Sequence, residues 1–85
     1  MSDNGVFTVH VSYYGFIRDH SGRVEEQVPT SATSARQLFE ELGLRYGFSV
    51  ETEGMNVAVN ERFCEWDQPL ADGDSVFFLP AMTGG

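Results

Sequence analysis

Residues 34–47 carry the one long helical signal of this chain, and the rest must be arranged around it. Ser34-Ala35-Arg36-Gln37 forms an S-x-x-Q capping box, with the Ser34 hydroxyl placed to accept from the backbone N–H of Gln37. Ala35, Leu38, Phe39, Leu42 and Tyr46 follow at helical spacing and make one apolar face. Gly47 suits a C-terminal stop. Gly43 interrupts the pattern at a cost of about 1 kcal/mol relative to alanine, which weakens the last turn. A single amphipathic helix must bury its stripe against another layer.

The flanking segments supply that layer. In residues 6–13, Phe7, Val9, Val11 and Tyr13 alternate with Thr8, His10 and Ser12, the period of a half-buried strand. Residues 18–22 read as a turn and residues 23–28 as a second strand returning as a hairpin, stopped by Pro29. Beyond the helix, residues 48–54 form an irregular connection. Met55, Val57 and Val59 alternate in a third strand, Asn60-Glu61 turns, and residues 62–66 make a weaker edge strand. Leu70 is expected to plug into the core from the following loop. Ala71-Asp72-Gly73-Asp74 is a tight turn before a last strand at 75–79, ended by Pro80. The order is ββαβββ with the helix across one sheet face, an α+β domain.

Eighty-five residues hold one hydrophobic core, so residues 1–80 are expected as one domain and 81–85 as a flexible tail. So little interior favours a carrier or binding module over an enzyme with a deep pocket. One cysteine, Cys64, leaves no disulfide framework or multi-cysteine metal site, and reads as a packed residue rather than a nucleophile. His10 and His20 have no second ligand at metal spacing, so no metal and no bound cofactor are expected. The polar start 1–5 and the lack of a long apolar run point to neither leader nor membrane span, hence the cytoplasm. A formal charge of −8 disfavours nucleic acid and anionic membrane and favours a basic protein partner. Glu61, Glu65, Asp67, Asp72 and Asp74 are expected either as a solvated surface or as an acidic collar near the tail. All five basic side chains are arginine. Codon preference explains that, as does avoidance of amines by a chain with an activated C-terminus.

The last residues have no folding role: a strand ending at Pro80 is followed by Ala81, Met82, Thr83 and a terminal Gly84-Gly85. Without Cβ atoms, such a backbone can thread a narrow channel and bring its carboxylate to a nucleotide. The ordered pattern Val59-Asn60, then Pro69-Leu70-Ala71-Asp72-Gly73-Asp74-Ser75-Val76, then the terminal Gly-Gly, resembles the MoaD/ThiS family of ubiquitin-like sulfur carriers. Tyr13-Tyr14-Gly15-Phe16-Ile17-Arg18 resembles that family's segment after the first strand, and Ser34 its helix cap. One proline before the tail and Asp19 after Arg18 depart from the pattern of the molybdopterin branch, which the chain otherwise resembles most.

The resemblance implies a β-grasp fold and a carrier cycle. A ubiquitin-activating-like enzyme would use MgATP to adenylate the Gly85 carboxylate, and a persulfide donor would convert it to a thiocarboxylate. A second enzyme, such as a molybdopterin synthase large subunit, would take the sulfur. The chain is then a carrier or small synthase subunit rather than a stand-alone catalyst. Thiamine, cysteine and secondary-metabolite pathways remain open, as does conjugation to lysines or a plain interaction module. Phe77, Phe78 and Leu79 cannot all face inward in one strand. Part of that trio, with Phe16, Pro80, Ala81, Met82 and Thr83, is expected as a docking patch for partners, Met82 for its adaptable thioether.

Overall fold

The alternation read at the N-terminus becomes strand β1 (Phe7–Tyr13), with Val9, Val11 and Tyr13 fully buried. The computed structural model describes residues 5–80. After β1 come helix α1 (Gly15–Ser21), β2 (Glu25–Thr30), helix α2 (Ala35–Tyr46), β3 (Met55–Val59), β4 (Arg62–Cys64) and β5 (Ser75–Pro80). One five-stranded mixed sheet has the order β2-β1-β5-β3-β4. Strand β5 lies at its centre, parallel to β1 and antiparallel to β3. The fold is the expected α+β, ubiquitin-like β-grasp.

Helix α2 forms as its sequence dictates. The Ser34 hydroxyl accepts from Gln37 N–H at 3.3 Å, while Gln37 Oε1 accepts from the Thr33 N–H at 2.8 Å. Gly47 closes the helix, its N–H donating to Gly43 O at 2.7 Å. Ala35, Leu38, Phe39 and Leu42 are fully buried. Phe39 is the hub of the core, with ring centroids 4.9 Å from Phe78, 5.1 Å from Trp66 and 5.5 Å from Phe48. Leu70 packs against the same cluster, as expected.

Three expectations are corrected. Residues 18–22 are not a turn between hairpin strands but the end of α1, which inserts a second helix; Ile17 is its buried anchor. Its sequence hides it, because seven residues with one buried side chain give no periodicity. Strand β2 also starts later than residue 23 and runs through Pro29 to Thr30. Thr8, opposite Pro29, spends its backbone N–H on Asp72 Oδ1 and its carbonyl on Gly73 N–H. The pair is therefore a non-hydrogen-bonded one on an edge strand, where the missing proline N–H costs no ladder bond. Third, Gly43 does not weaken the helix end but admits the following loop. A Cβ there would clash with Val50 Cγ1 and sit 3.1 Å from the Phe48 carbonyl oxygen.

A buried polar cluster joins β1, β2 and α2. The hydroxyls of Tyr13 and Tyr46 both donate to Glu26 Oε2, and Arg23 Nε lies 3.5 Å from Glu26 Oε1. Burial first, and then the Glu26 carboxylate, push the Tyr13 hydroxyl far above its ordinary value.

Two measurements follow from this packing. Gly43→Ala should lower stability by about 1–2 kcal/mol in denaturant unfolding, as overpacking outweighs the roughly 1 kcal/mol gain in helix propensity. Because the Tyr13 proton is held in the folded chain but released from the unfolded one, the unfolded state binds fewer protons once pH passes about 10. Stability should therefore decline above that pH, and Tyr13→Phe should flatten the alkaline limb of the stability profile.

Candidate functional site

Helix α2 covers one face of the sheet and leaves the other open. Register across the sheet aligns Ser12, Phe77, Ala58 and Phe63 in one row on that open face. Phe77 is half-buried and Phe63 is 67% exposed, while Ala58 lies 1% exposed between them. Tyr14, at 39% exposure, sets its ring edge-on to Phe77 with centroids 5.8 Å apart. Leu79, two residues beyond Phe77 on the same side of β5, extends the patch toward the strand end. The face is polar toward β2, where His10 bonds Glu25 Oε1 at 2.6 Å and Gln27 Nε2 at 3.2 Å. The apolar half is thus confined to the β5–β3–β4 side.

The expected docking residues divide among three environments. Phe77 and Leu79 lie on the open face. Phe78 is corrected: it is fully buried, because strand alternation turns Val76 and Phe78 toward Phe39. Phe16 and Pro80 lie on the helix side, lining a groove of about 230 Å³ with Ser49, Glu51, Glu53, Gly54 and Met55. Phe16 is held there edge-on to Phe48 at 6.1 Å. Pro80 packs on Gly15, where a Cβ would sit 3.4 Å from Pro80 Cγ. Ala81, Met82, Thr83, Gly84 and Gly85 lie outside the described residues. Apolar surface therefore flanks the end of β5 on both sides of the sheet. Tyr14 and Phe63 were not anticipated; the Tyr13-Tyr14 pair, split by alternation, was the available signal for the first.

The carboxylates of the "Asn … Asp-Gly-Asp" motif do structural work at the opposite end of β5 from Pro80. Asp74 Oδ1 accepts from Asn60 Nδ2 at 2.9 Å, and its Oδ2 from Ala71 N–H at 2.8 Å. Asn60 Oδ1 accepts from Ser75 N–H at 3.0 Å, and Asp72 Oδ1 from Thr8 N–H at 3.0 Å. Gly73, with φ +87°, lets the turn close so that its N–H reaches Thr8 O at 2.8 Å. The motif is a clamp fixing where β5 enters the sheet. Strand β5, six residues ending at Pro80 and roughly 20 Å long, carries Pro80 away from it, so Asp72, Asp74 and the adjacent Glu61 lie at the far end of the strand from Pro80.

A larger depression of about 650 Å³ near this clamp is lined in part by Arg62, Phe63, Cys64, Gln68 and Pro69. Cys64 there is half-buried, its thiol 3.7 Å from Val57 O. Desolvation first, and then the charges of Glu65 and Asp67, push the thiol up, which outweighs a backbone hydrogen bond lowering it. This is not the environment of an activated nucleophile. Among the described residues, no group of three or more His, Cys, Asp or Glu side chains could hold a metal ion. No helix among them is long and apolar enough to cross a membrane.

Comparison with known proteins agrees with this geometry. A molybdopterin synthase sulfur carrier subunit of Escherichia coli is 28% identical over 80 residues, covering 91% of this chain and 99% of that one. A Pyrococcus furiosus protein assigned as molybdopterin converting factor subunit 1 superposes with TM-score 0.70 at 30% identity, covering 89% and 99% of the two chains. A chain in a Helicobacter pylori complex of molybdopterin-converting factor subunits 1 and 2 superposes with TM-score 0.60 at 26% identity, covering 93% of this chain and 100% of that one. The ThiS family model matches residues 11–85, spanning the clamp, the open face and the C-terminal Gly-Gly. The chain belongs to the ThiS family, the MoaD/ThiS group of ubiquitin-like sulfur carriers.

Proposed function

We propose that the chain carries sulfur as a thiocarboxylate on Gly85 and delivers it in molybdopterin synthesis. The observation that carries this reading is the end of β5. The central strand is clamped at its start and reaches Pro80 between two apolar surfaces, with three residues between Pro80 and a terminal Gly-Gly in the sequence. Such a strand is a rigid base from which to present a carboxylate to another protein's active site.

The chemistry needs activation, since a carboxylate is a poor electrophile, and in this reading an adenylating partner supplies it. The Gly85 carboxylate attacks the α-phosphorus of MgATP held by that partner, and pyrophosphate leaves. Persulfide sulfur then attacks the acyl carbon, and AMP departs with the C–O electron pair, leaving an acyl disulfide with the donor. A second thiolate then attacks the donor-side sulfur of that bond, forming a disulfide with it and expelling the thiocarboxylate with the S–S electron pair. An ATP-dependent cycle fits the cytoplasm, where ATP is supplied. The names of the Escherichia coli, Pyrococcus and Helicobacter relatives support the molybdopterin pathway, and the Helicobacter complex supports docking on a second subunit.

In this reading the open apolar face binds partners. Phe77, Leu79, Tyr14 and Phe63 supply aromatic and aliphatic anchors of the kind that dominate binding energy. The remaining acidic surface, at a formal charge of −8, steers toward basic partners.

Two outcomes test the proposal. Wild-type chain should support ATP–pyrophosphate exchange by its cognate activating enzyme, and deletion of Gly85 should abolish exchange while leaving the unfolding curve unchanged. Exchange that is indifferent to Gly85 would reject the role given to the C-terminus. Phe63→Asp should weaken binding to the second subunit by about 2 kcal/mol, roughly 30-fold, in calorimetric titration. Its stability should shift by no more than about 0.5 kcal/mol, since the side chain is 67% exposed.

A further inference from the structure

An activated acyl group at Gly85 is an electrophile that every nucleophile within reach can capture, including those of the carrier itself and of neighbouring copies. The five cations are Arg18, Arg23, Arg36, Arg45 and Arg62, and all five are exposed. Nothing in the fold requires a guanidinium at these positions. Arg23 approaches Glu26 at 3.5 Å and Arg45 approaches Glu41 at 3.7 Å, both longer than a charge-assisted hydrogen bond. The side chains of Arg18, Arg36 and Arg62 make no ion pair or hydrogen bond among the described residues. Surface pairs of this kind contribute little to stability, and lysine serves them as well as arginine.

Packing or pairing therefore does not account for the choice of arginine, but reactivity distinguishes the two residues. At pH 8 about 0.4% of an ordinary lysine is free amine, against roughly 0.003% or less of an arginine side chain. Two other nucleophiles are engaged as well. The Cys64 thiol is half-buried, directed at a backbone carbonyl and pushed up by desolvation. The His10 ring nitrogens are engaged by Glu25 and Gln27, while His20 is exposed with its ring against those of Phe16 and Phe48.

We infer that the all-arginine cation set protects the activated C-terminal acyl group from self-acylation until the sulfur donor arrives. The inference rests on the carrier reading of Gly85. The reaction avoided is attack of a side-chain amine on the acyl carbon. A C–N bond would form, the C–O bond to AMP would break with its electron pair leaving on the phosphate, and the amine proton would pass to water.

The test generates the full chain as a C-terminal thioester by intein cleavage, which needs no activating enzyme. The wild type is compared with Arg36→Lys/Arg62→Lys and with the variant carrying lysine at all five arginine positions. Circular dichroism checks that each is folded, and the double variant, at positions without ion pairs, serves if the fivefold one is not. After incubation at pH 8, peptide mapping by mass spectrometry counts side-chain amides, thioesters and esters, with adducts at the N-terminal amine counted separately. The variants should accumulate side-chain adducts at least about tenfold faster than wild type, following the free-base fractions of lysine and arginine. Equal rates, or abundant adducts on wild-type side chains, would overturn the inference. A parallel incubation with activating enzyme and ATP separates the two claims. Absence of adenylation there counts against the carrier reading, while the thioester result still decides whether the surface is inert.

Discussion

Strand β5 enters the sheet last in sequence yet occupies its centre, pairing with β1 on one side and β3 on the other. Neither half of the sheet is joined to the other until β5 is in place, so the fold closes on this strand. Its inner face places Val76 and Phe78 against the core, and Phe78 meets Phe39 of α2 at 4.9 Å and stacks on Trp66 at 5.9 Å. The same strand that completes the core carries the C-terminal residues. Order at the exit point is thus a consequence of folding, with no separate device needed to hold it.

The two ends of β5 have different tasks. At its start, Asn60, Asp72 and Asp74 exchange hydrogen bonds with backbone groups of the incoming turn and of β1. Carboxylates that accept backbone N–H groups satisfy donors that would otherwise be left without partners, which explains acidic residues in a turn without invoking a partner. At its end the strand presents side chains rather than hydrogen-bonding groups. Phe77 and Leu79 face outward, and Pro80 rests on Gly15 beside the Phe16 groove. The strand is thus fixed at one end by hydrogen bonds and flanked by apolar surface at the other.

Much of this was legible in the residues. The Ser34 cap, the Ala35–Leu38–Phe39–Leu42 stripe, the β1 alternation and the Asp-Gly-Asp turn each specify their element locally. Helix α1 was not legible, because Ile17 alone is buried and no period can be read from a single point. Nor could the run Val76-Phe77-Phe78-Leu79 reveal which members face inward. That parity is set by pairing Val76 with Val11 and Val59, contacts more than sixteen residues distant in sequence. Gly43 misled for a related reason: its cost is local, while its benefit is the close approach of Val50 and Phe48. Phe63 escaped notice because its partner Ala58 lies across a turn whose register the sequence does not state.

In the proposed function, the chemistry of the domain reduces to one carboxyl group offered to other proteins. The most direct measurement is the intact mass of the chain after incubation with its activating enzyme, MgATP and a persulfide donor. Replacement of one oxygen by sulfur, localised to Gly85 by fragmentation, is the predicted result. An unchanged mass with a competent activating enzyme, or sulfur located on Cys64 instead, would contradict the account.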